Sequence, residues 1–113
     1  MHEQSIVESL LSVALESAEK ENARKILRIY LVVGEFSGVI KEAVEFYFNF
    51  LSKDTIAAEA SLFFMYVPAQ LRCRSCDTIF SPERHDSNCP NCNEKQVEII
   101  SGREVYIESM DIE

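Results

Sequence analysis

The stretch CRSCDTIFSPERHDSNCPNC, residues 73–92, decides the fold of the second half of the chain. It holds all 4 cysteines of the 113-residue protein, in the arrangement C-x2-C-x12-C-x2-C. Two residues between cysteines allow one tight turn to direct both sulfurs to a common point, so two such pairs complete a tetrahedron. Zinc prefers four thiolates in this closed geometry. The pattern predicts a structural zinc site with four ligands: Cys73, Cys76, Cys89 and Cys92.

Three other interpretations of the cysteines are a pair of disulfides, a rubredoxin-like iron site and a redox-active CxxC motif. The N-terminal sequence MHEQSIVESL lacks the basic region of a signal peptide, which weakens the disulfide interpretation. A thioredoxin-like CxxC needs a βαβ context that these cysteines lack, and nothing in the sequence indicates electron transfer. Zinc is therefore favoured. Because a closed four-thiolate site has no open coordination position, it stabilises structure and performs no hydrolysis.

The sequence on either side of the cysteines predicts an α+β fold. Apolar residues recur at three- and four-residue intervals in two segments and alternate in several others. The predicted elements are helices over 3–20 and 40–53, and strands over 25–33, 60–68, 96–100 and 103–112. Residues 71–95 have little aliphatic bulk and depend on the metal for their shape. We expect two helices packed on a small three-stranded sheet, with an inserted zinc-ribbon-like module. The predicted domains are an α/β domain of residues 1–70 plus 101–113 and a zinc-binding domain of residues 71–100.

Three details of this fold can be predicted from side-chain patterns. The strand ASLFFMYVP, residues 60–68, is apolar on both faces, so we expect it at the centre of the sheet. The second helix is expected to bury most of its apolar residues as core: Ala43, Val44, Phe46, Tyr47, Phe48, Phe50 and Leu51. In the last strand the apolar residues lie at odd positions up to Ile107 and at even positions after it. This change of face predicts a β-bulge near Ser109.

Charge limits the classes of partner. The formal net charge is −8 and the sequence pI is about 4.8, which argues against binding to nucleic acid or to anionic membranes. The longest apolar stretch, Leu62 to Ala69, is too short to span a bilayer, and we expect a cytoplasmic protein. The sequence has acidic side chains that could act in acid–base catalysis, but no activated nucleophile or phosphate-binding loop accompanies them. No catalytic residues and no enzymatic activity are therefore predicted. A zinc-ribbon adaptor for protein or nucleic acid is the alternative function.

The N-terminal triplet Met1-His2-Glu3 has the donors of a second metal site. The α-amine and the imidazole of a histidine at position 2 close adjacent chelate rings through the intervening amide nitrogen. Three coplanar nitrogens suit a square-planar Ni(II) or Cu(II) ion, and the fourth donor comes from Glu3 or elsewhere in the chain. Taken alone, a histidine after the initiator methionine is more often a solvated terminal residue.

Five motifs together resemble the HypA/HybF family of hydrogenase nickel-incorporation proteins. They are the start MHEQS, the turn VGEFSGV, the helix segment EAVEFYF, the double CxxC and the closing SGREVYIE. The resemblance implies a nickel metallochaperone that delivers Ni(II) during [NiFe]-hydrogenase maturation and, in some organisms, serves urease. It implies nickel ligands at Met1, His2 and the backbone near Glu3, and zinc at the four cysteines.

The resemblance also implies partners and one further ligand. The partners are the GTPase HypB, the [NiFe]-hydrogenase large-subunit precursor and, in some organisms, urease accessory proteins. In some members of the family an additional histidine is a nickel ligand, and His85 is the candidate for it here. Its position between Arg84 and Asp86 in a polar loop favours a solvated side chain. We expect a monomer or a weak homodimer.

Overall fold

The computed structural model describes residues 3–82 and 88–113. Its elements, in chain order, are α1 (Glu3–Lys20), β1 (Ile26–Gly34), α2 (Lys41–Leu51), β2 (Ser61–Val67), β3 (Gln70–Cys73), β4 (Ile79–Phe80), β5 (Val97–Ser101) and β6 (Val105–Ile112). The strands form two three-stranded sheets, with the orders β2-β1-β6 and β4-β3-β5. The predicted α+β fold, with two helices and a separate cysteine-bearing unit, is confirmed.

The hydrophobic core lies between the two helices and one face of the first sheet. One stripe of α1 is buried, at positions separated by three or four residues: Val7, Leu11, Ala14 and Ala18. Ile29, Leu31 and Val33 of β1 meet this stripe, and each is at most 3% exposed. Helix periodicity and strand alternation thus direct their apolar side chains to a common interior.

The central strand of the first sheet is β1, and the prediction that residues 60–68 lie at the centre was wrong. Among the described strands, β2 pairs with β1 alone, in parallel, and forms an edge. Polar residues are tolerated in β1 because Asp111 of β6 accepts hydrogen bonds from Arg28 Nε (2.5 Å) and Tyr30 Oη (2.8 Å). The second apolar face of β2 faces away from the helices, and its Phe63 remains 45% exposed.

Two aromatic residues predicted as core lie on the surface of α2. Val44 and Phe48 face the core, at 2% and 4% exposure, whereas Phe46 and Phe50 are 68% and 64% exposed. A residue two positions further along a helix is rotated by about 200°, so the side of α2 that buries Val44 and Phe48 cannot also bury these two. The prediction of core positions for Phe46 and Phe50 was therefore wrong.

The predicted irregularity in the last strand is present. Tyr30 pairs with Ser109 and the next residue, Leu31, pairs with Ile107, which leaves Glu108 without an opposite residue. The inserted residue changes the parity of β6, so that Ile107 and Met110 both pack against the core. The β-bulge near Ser109 is confirmed.

Close backbone contacts at two glycines join the two sheets. Phe36 N–H donates to the Gly102 carbonyl (2.6 Å), and Gly34 N–H donates to the Glu104 carbonyl (2.7 Å). The carboxylate of Glu35 accepts a hydrogen bond from Ala69 N–H (2.7 Å). Gly102 has a φ of +100°, a conformation that glycine adopts without steric cost. The segments that lead into β3 and out of β5 are thereby held against the end of β1.

Among residues 3–82 and 88–113, neither helix is long and apolar enough to cross a membrane.

Candidate metal centre

The first cysteine pair forms a tight turn at the end of β3. The N–H of Cys73 donates to the Thr78 carbonyl (2.9 Å), and the N–H of Asp77 donates back to the Cys73 carbonyl (2.9 Å). Inside the turn, Ser75 N–H donates to Cys73 Sγ (3.4 Å). Asp77 has a φ of +62°, in the left-handed region that short polar side chains tolerate. This turn directs the sulfurs of Cys73 and Cys76 to the same side.

The second cysteine pair repeats this geometry bond for bond. The N–H of Cys89 donates to the Glu94 carbonyl (3.0 Å), and Asn93 N–H donates to the Cys89 carbonyl (2.8 Å). Asn91 N–H donates to Cys89 Sγ (3.4 Å), and Asn93 has a φ of +63°. The cysteine ligands were predicted from their spacing, but the left-handed positions were not, although an Asp or Asn directly follows the second cysteine of each pair.

The four sulfurs converge on one point. All lie within 4.8 Å of one another, with Cys73 and Cys92 sulfurs 3.4 Å apart and Cys76 and Cys89 sulfurs 3.6 Å apart. Four sulfurs about 2.3 Å from a central zinc ion lie about 3.8 Å apart in a tetrahedron. A disulfide would need about 2 Å between sulfurs. The donor set and its spacing therefore fit zinc, as the sequence predicted.

The immediate surroundings favour thiolate at one ligand and oppose it at another. Hydrogen bonds with the Thr78 hydroxyl (3.0 Å) and the Asn91 side-chain amide (3.6 Å) lower the pKa of Cys76 to about 6. The N–H of Glu94 favours the Cys92 thiolate, but contact with Cys73 and burial together raise the pKa of Cys92 to about 12. Four adjacent thiols cannot all lose their protons while their charges repel, and a central divalent cation removes that repulsion.

Two arginines in the described part of this unit face the same carboxylate. Arg72 pairs with Glu98, and Arg74 Nε lies 3.8 Å from the second carboxylate oxygen of the same residue. Since both arginines face a carboxylate, the described part of the unit offers no basic stripe to a phosphate backbone.

The predicted nickel ligands fall largely on residues that the structure does not describe. Met1 and His2 precede the described range, and His85 lies in 83–87, also outside it. Glu3 is the first residue of α1 and is half-buried. In the part of the chain that the structure covers, the four cysteines are the one group of three or more His, Cys, Asp or Glu side chains placed to share a metal ion.

Known proteins match this chain over its length. The family model described as hydrogenase/urease nickel incorporation, metallochaperone, hypA matches residues 1–112. The chain belongs to the HypA family. The resemblance found in the sequence motifs is thus confirmed, and the family is one of nickel metallochaperones for hydrogenase maturation.

Individual HypA proteins agree with this assignment. The hydrogenase maturation factor HypA of Dehalococcoides mccartyi is 44% identical over 113 residues, which cover 100% of this chain and 95% of that one. The HypA of Caldanaerobacter subterraneus is 38% identical, with 100% of both chains covered. The solution structure of the Ni metallochaperone HypA from Helicobacter pylori is similar with a TM-score of 0.72 and 30% identity, covering 99% of this chain and 97% of that chain.

Proposed function

We propose that this HypA-family chain binds Ni(II) at its N-terminus and delivers the ion during [NiFe]-hydrogenase maturation. The nickel ligands in this proposal are the Met1 amine, the His2 imidazole and backbone nitrogen near Glu3, while the four cysteines hold a structural zinc ion. The match of residues 1–112 to the family model is the observation that carries the proposal.

The start of α1 supports a backbone contribution to the nickel site. The helix begins at Glu3, and the first N–H groups of an α-helix have no intrahelical acceptor. The amide nitrogen of Glu3 can therefore lose a proton and bind nickel without breaking a helical hydrogen bond. A deprotonated amide is also favoured there by the partial positive charge of the helix N-terminus.

The same location suits a site that must release its ion. Val7 is 1% exposed and fixes the first turns of α1 to the core, whereas residues at the extreme end of a chain open at little free-energy cost. A chelate attached to a fixed helix by two terminal residues can bind with defined geometry and still be reached by an acceptor. His2 must be neutral to bind nickel, so affinity falls as the pH is lowered.

The partners follow from this delivery role. We propose the GTPase HypB and the [NiFe]-hydrogenase large-subunit precursor as partners, with urease accessory proteins as a further destination, all in the cytoplasm. In this proposal the chain transports nickel and catalyses no reaction. Residues 1–70 plus 101–113 act as the nickel domain, and residues 71–100 act as the zinc domain.

Nickel titration of the zinc-loaded chain tests the ligand assignment. His2→Ala removes the imidazole and should weaken Ni(II) binding by about 100-fold or more, about 2.8 kcal/mol in binding free energy. His85→Ala removes the other histidine of the chain and is the matched control, with affinity close to that of the unmodified protein. Unchanged affinity in His2→Ala would exclude the N-terminal site.

A further inference from the structure

The two edges of the first sheet differ in their protection against pairing with another strand. The β6 edge carries Glu108 and Asp111 and is interrupted by a bulge, features that discourage a further strand from adding. The β2 edge, SLFFMYV, has seven residues without a charge or a proline, and its register with β1 is continuous. An unprotected edge of this kind is a template for strand addition.

The backbone groups that β2 leaves free can be assigned. Glu35 N–H donates to the Val67 carbonyl (2.9 Å), so the peptide groups of Val67 face β1. Because successive residues of a strand face opposite sides, the groups of Leu62, Phe64 and Tyr66 point away from the sheet. Within residues 3–82 and 88–113, no hydrogen bond outside the regular strand ladders reaches these three residues' backbone groups.

We propose that a second copy of this chain adds to β2 in antiparallel orientation, around a two-fold axis at Phe64. In this register Phe64 faces Phe64 of the second copy, and Leu62 of each copy faces Tyr66 of the other. All three are hydrogen-bonded pairs, in which facing residues exchange both N–H···O bonds. Every outward N–H and C=O of the three residues is then satisfied, because β2 is complementary to itself about its middle residue.

The side chains of the intervening residues fit the same register. Phe63 faces Met65 of the second copy, and Met65 faces its Phe63, in non-hydrogen-bonded pairs where side chains approach most closely. Phe63 and Met65 are 45% and 47% exposed in the single chain. Tyr30 stacks on Phe63 with ring centroids 5.3 Å apart, which holds the ring on this face of the sheet. Pairing covers both apolar side chains and forms two sulfur–aromatic contacts.

Charge makes β2 the segment through which two acidic copies can approach. Each chain carries a formal net charge of −8, but β2 contributes no charge, so no like charges face each other across the paired strands. Lys41 Nζ lies 5.7 Å from the Phe64 ring centroid, so the Lys41 side chains of the two copies approach each other near the two-fold axis. Salt screens both this repulsion and the repulsion between the two net charges. Dimer affinity should therefore rise with ionic strength.

Sedimentation equilibrium of the zinc-loaded full chain, without nickel, tests the proposal independently of the nickel site. Met65→Lys places a charge in the interface and should weaken dimerisation at least tenfold. Tyr106→Lys is the matched control, because Tyr106 is also 47% exposed but lies on β6; its dimer affinity should stay unchanged. In the double variant Phe63→Glu with Met65→Lys, opposite charges face each other in the proposed register, and dimerisation should return.

Amide hydrogen exchange gives a second readout at residue level. The amides of Leu62, Phe64 and Tyr66 should become protected as protein concentration rises, whereas those of β6 should not change. Circular dichroism of each variant confirms that the fold is retained. A chain that remains monomeric at millimolar concentration, a dimer that Met65→Lys leaves intact, or protection that appears only with a different protein would overturn the proposal.

Discussion

Replacement of Gly34 by alanine tests the contact that joins the two sheets. A Cβ at this position would lie 2.2 Å from the Gly102 carbonyl oxygen and 2.3 Å from its carbon. Ordinary non-bonded contact requires separation by about 1 Å more than this. The segment between β5 and β6, which contains Gly102 and Glu104, must therefore move away from β1. The hydrogen bonds from Gly34 N–H to the Glu104 carbonyl and from Phe36 N–H to the Gly102 carbonyl are then lost.

The expected cost follows from those losses. Two backbone hydrogen bonds contribute about 1 kcal/mol each, and groups left without a partner add to the loss, so Gly34→Ala should lower the free energy of unfolding by about 2–3 kcal/mol. Gly38→Ala is the matched control: no atom of residues 3–82 or 88–113 lies within 4 Å of its Cβ position, although its φ is +78°. It should cost only the left-handed strain, about 1 kcal/mol.

Urea unfolding with excess zinc, followed by far-UV circular dichroism, measures both variants. Zinc content should not change in either, because the hydrogen bonds of the cysteine turns lie outside the junction. A smaller loss of stability in Gly34→Ala than in Gly38→Ala would refute the steric conflict between Gly34 and Gly102.

Three further predictions concern the zinc turns and the sheet. Cys73→Ser should release zinc and remove the NMR signals of β3–β5 while those of β1 persist, because metal binding supplies the folding free energy of that unit; persistence of both sets would contradict this. Asn93→Val should weaken zinc binding about tenfold in a chelator competition, since a β-branched residue is strained at a φ of +63°, whereas Asn93→Gly should bind normally. Hydrogen bonds from Arg28 and Tyr30 lower the pKa of Asp111 in the folded protein. The stability that Asp111 contributes is therefore complete above the usual aspartate pKa of about 3.9. It is lost as the pH falls through the lower pKa of the folded state. Acid unfolding of Asp111→Asn should lack this component, and an identical profile would argue against the interaction.

The sequence predicted the elements whose signal is local. Helix α1 was predicted with its observed bounds because seven apolar residues follow one helical stripe, and the bulge near Ser109 was visible as a change of apolar parity. The four cysteines were sufficient to predict the cluster of four sulfurs, since their spacing brings the two pairs together.

Features that depend on tertiary neighbours were not predicted. The two apolar faces of β2 suggested burial, but only the pairing of Asp111 with Arg28 and Tyr30 explains why the more polar β1 lies at the centre. Phe46 and Phe50 appeared to belong to the core because composition does not show which side of α2 faces the sheet. Strand β3 was missed because its four residues are too few to display a period.

The nickel site is tested most directly by adding one residue before Met1. This extension leaves every side chain in place but moves the α-amine away from His2. Isothermal titration of the zinc-loaded chain with Ni(II) should show a single tight site when Met1 is the first residue and no tight site in the extended protein. Equal affinity in the two proteins would contradict the N-terminal chelate and require nickel to bind elsewhere.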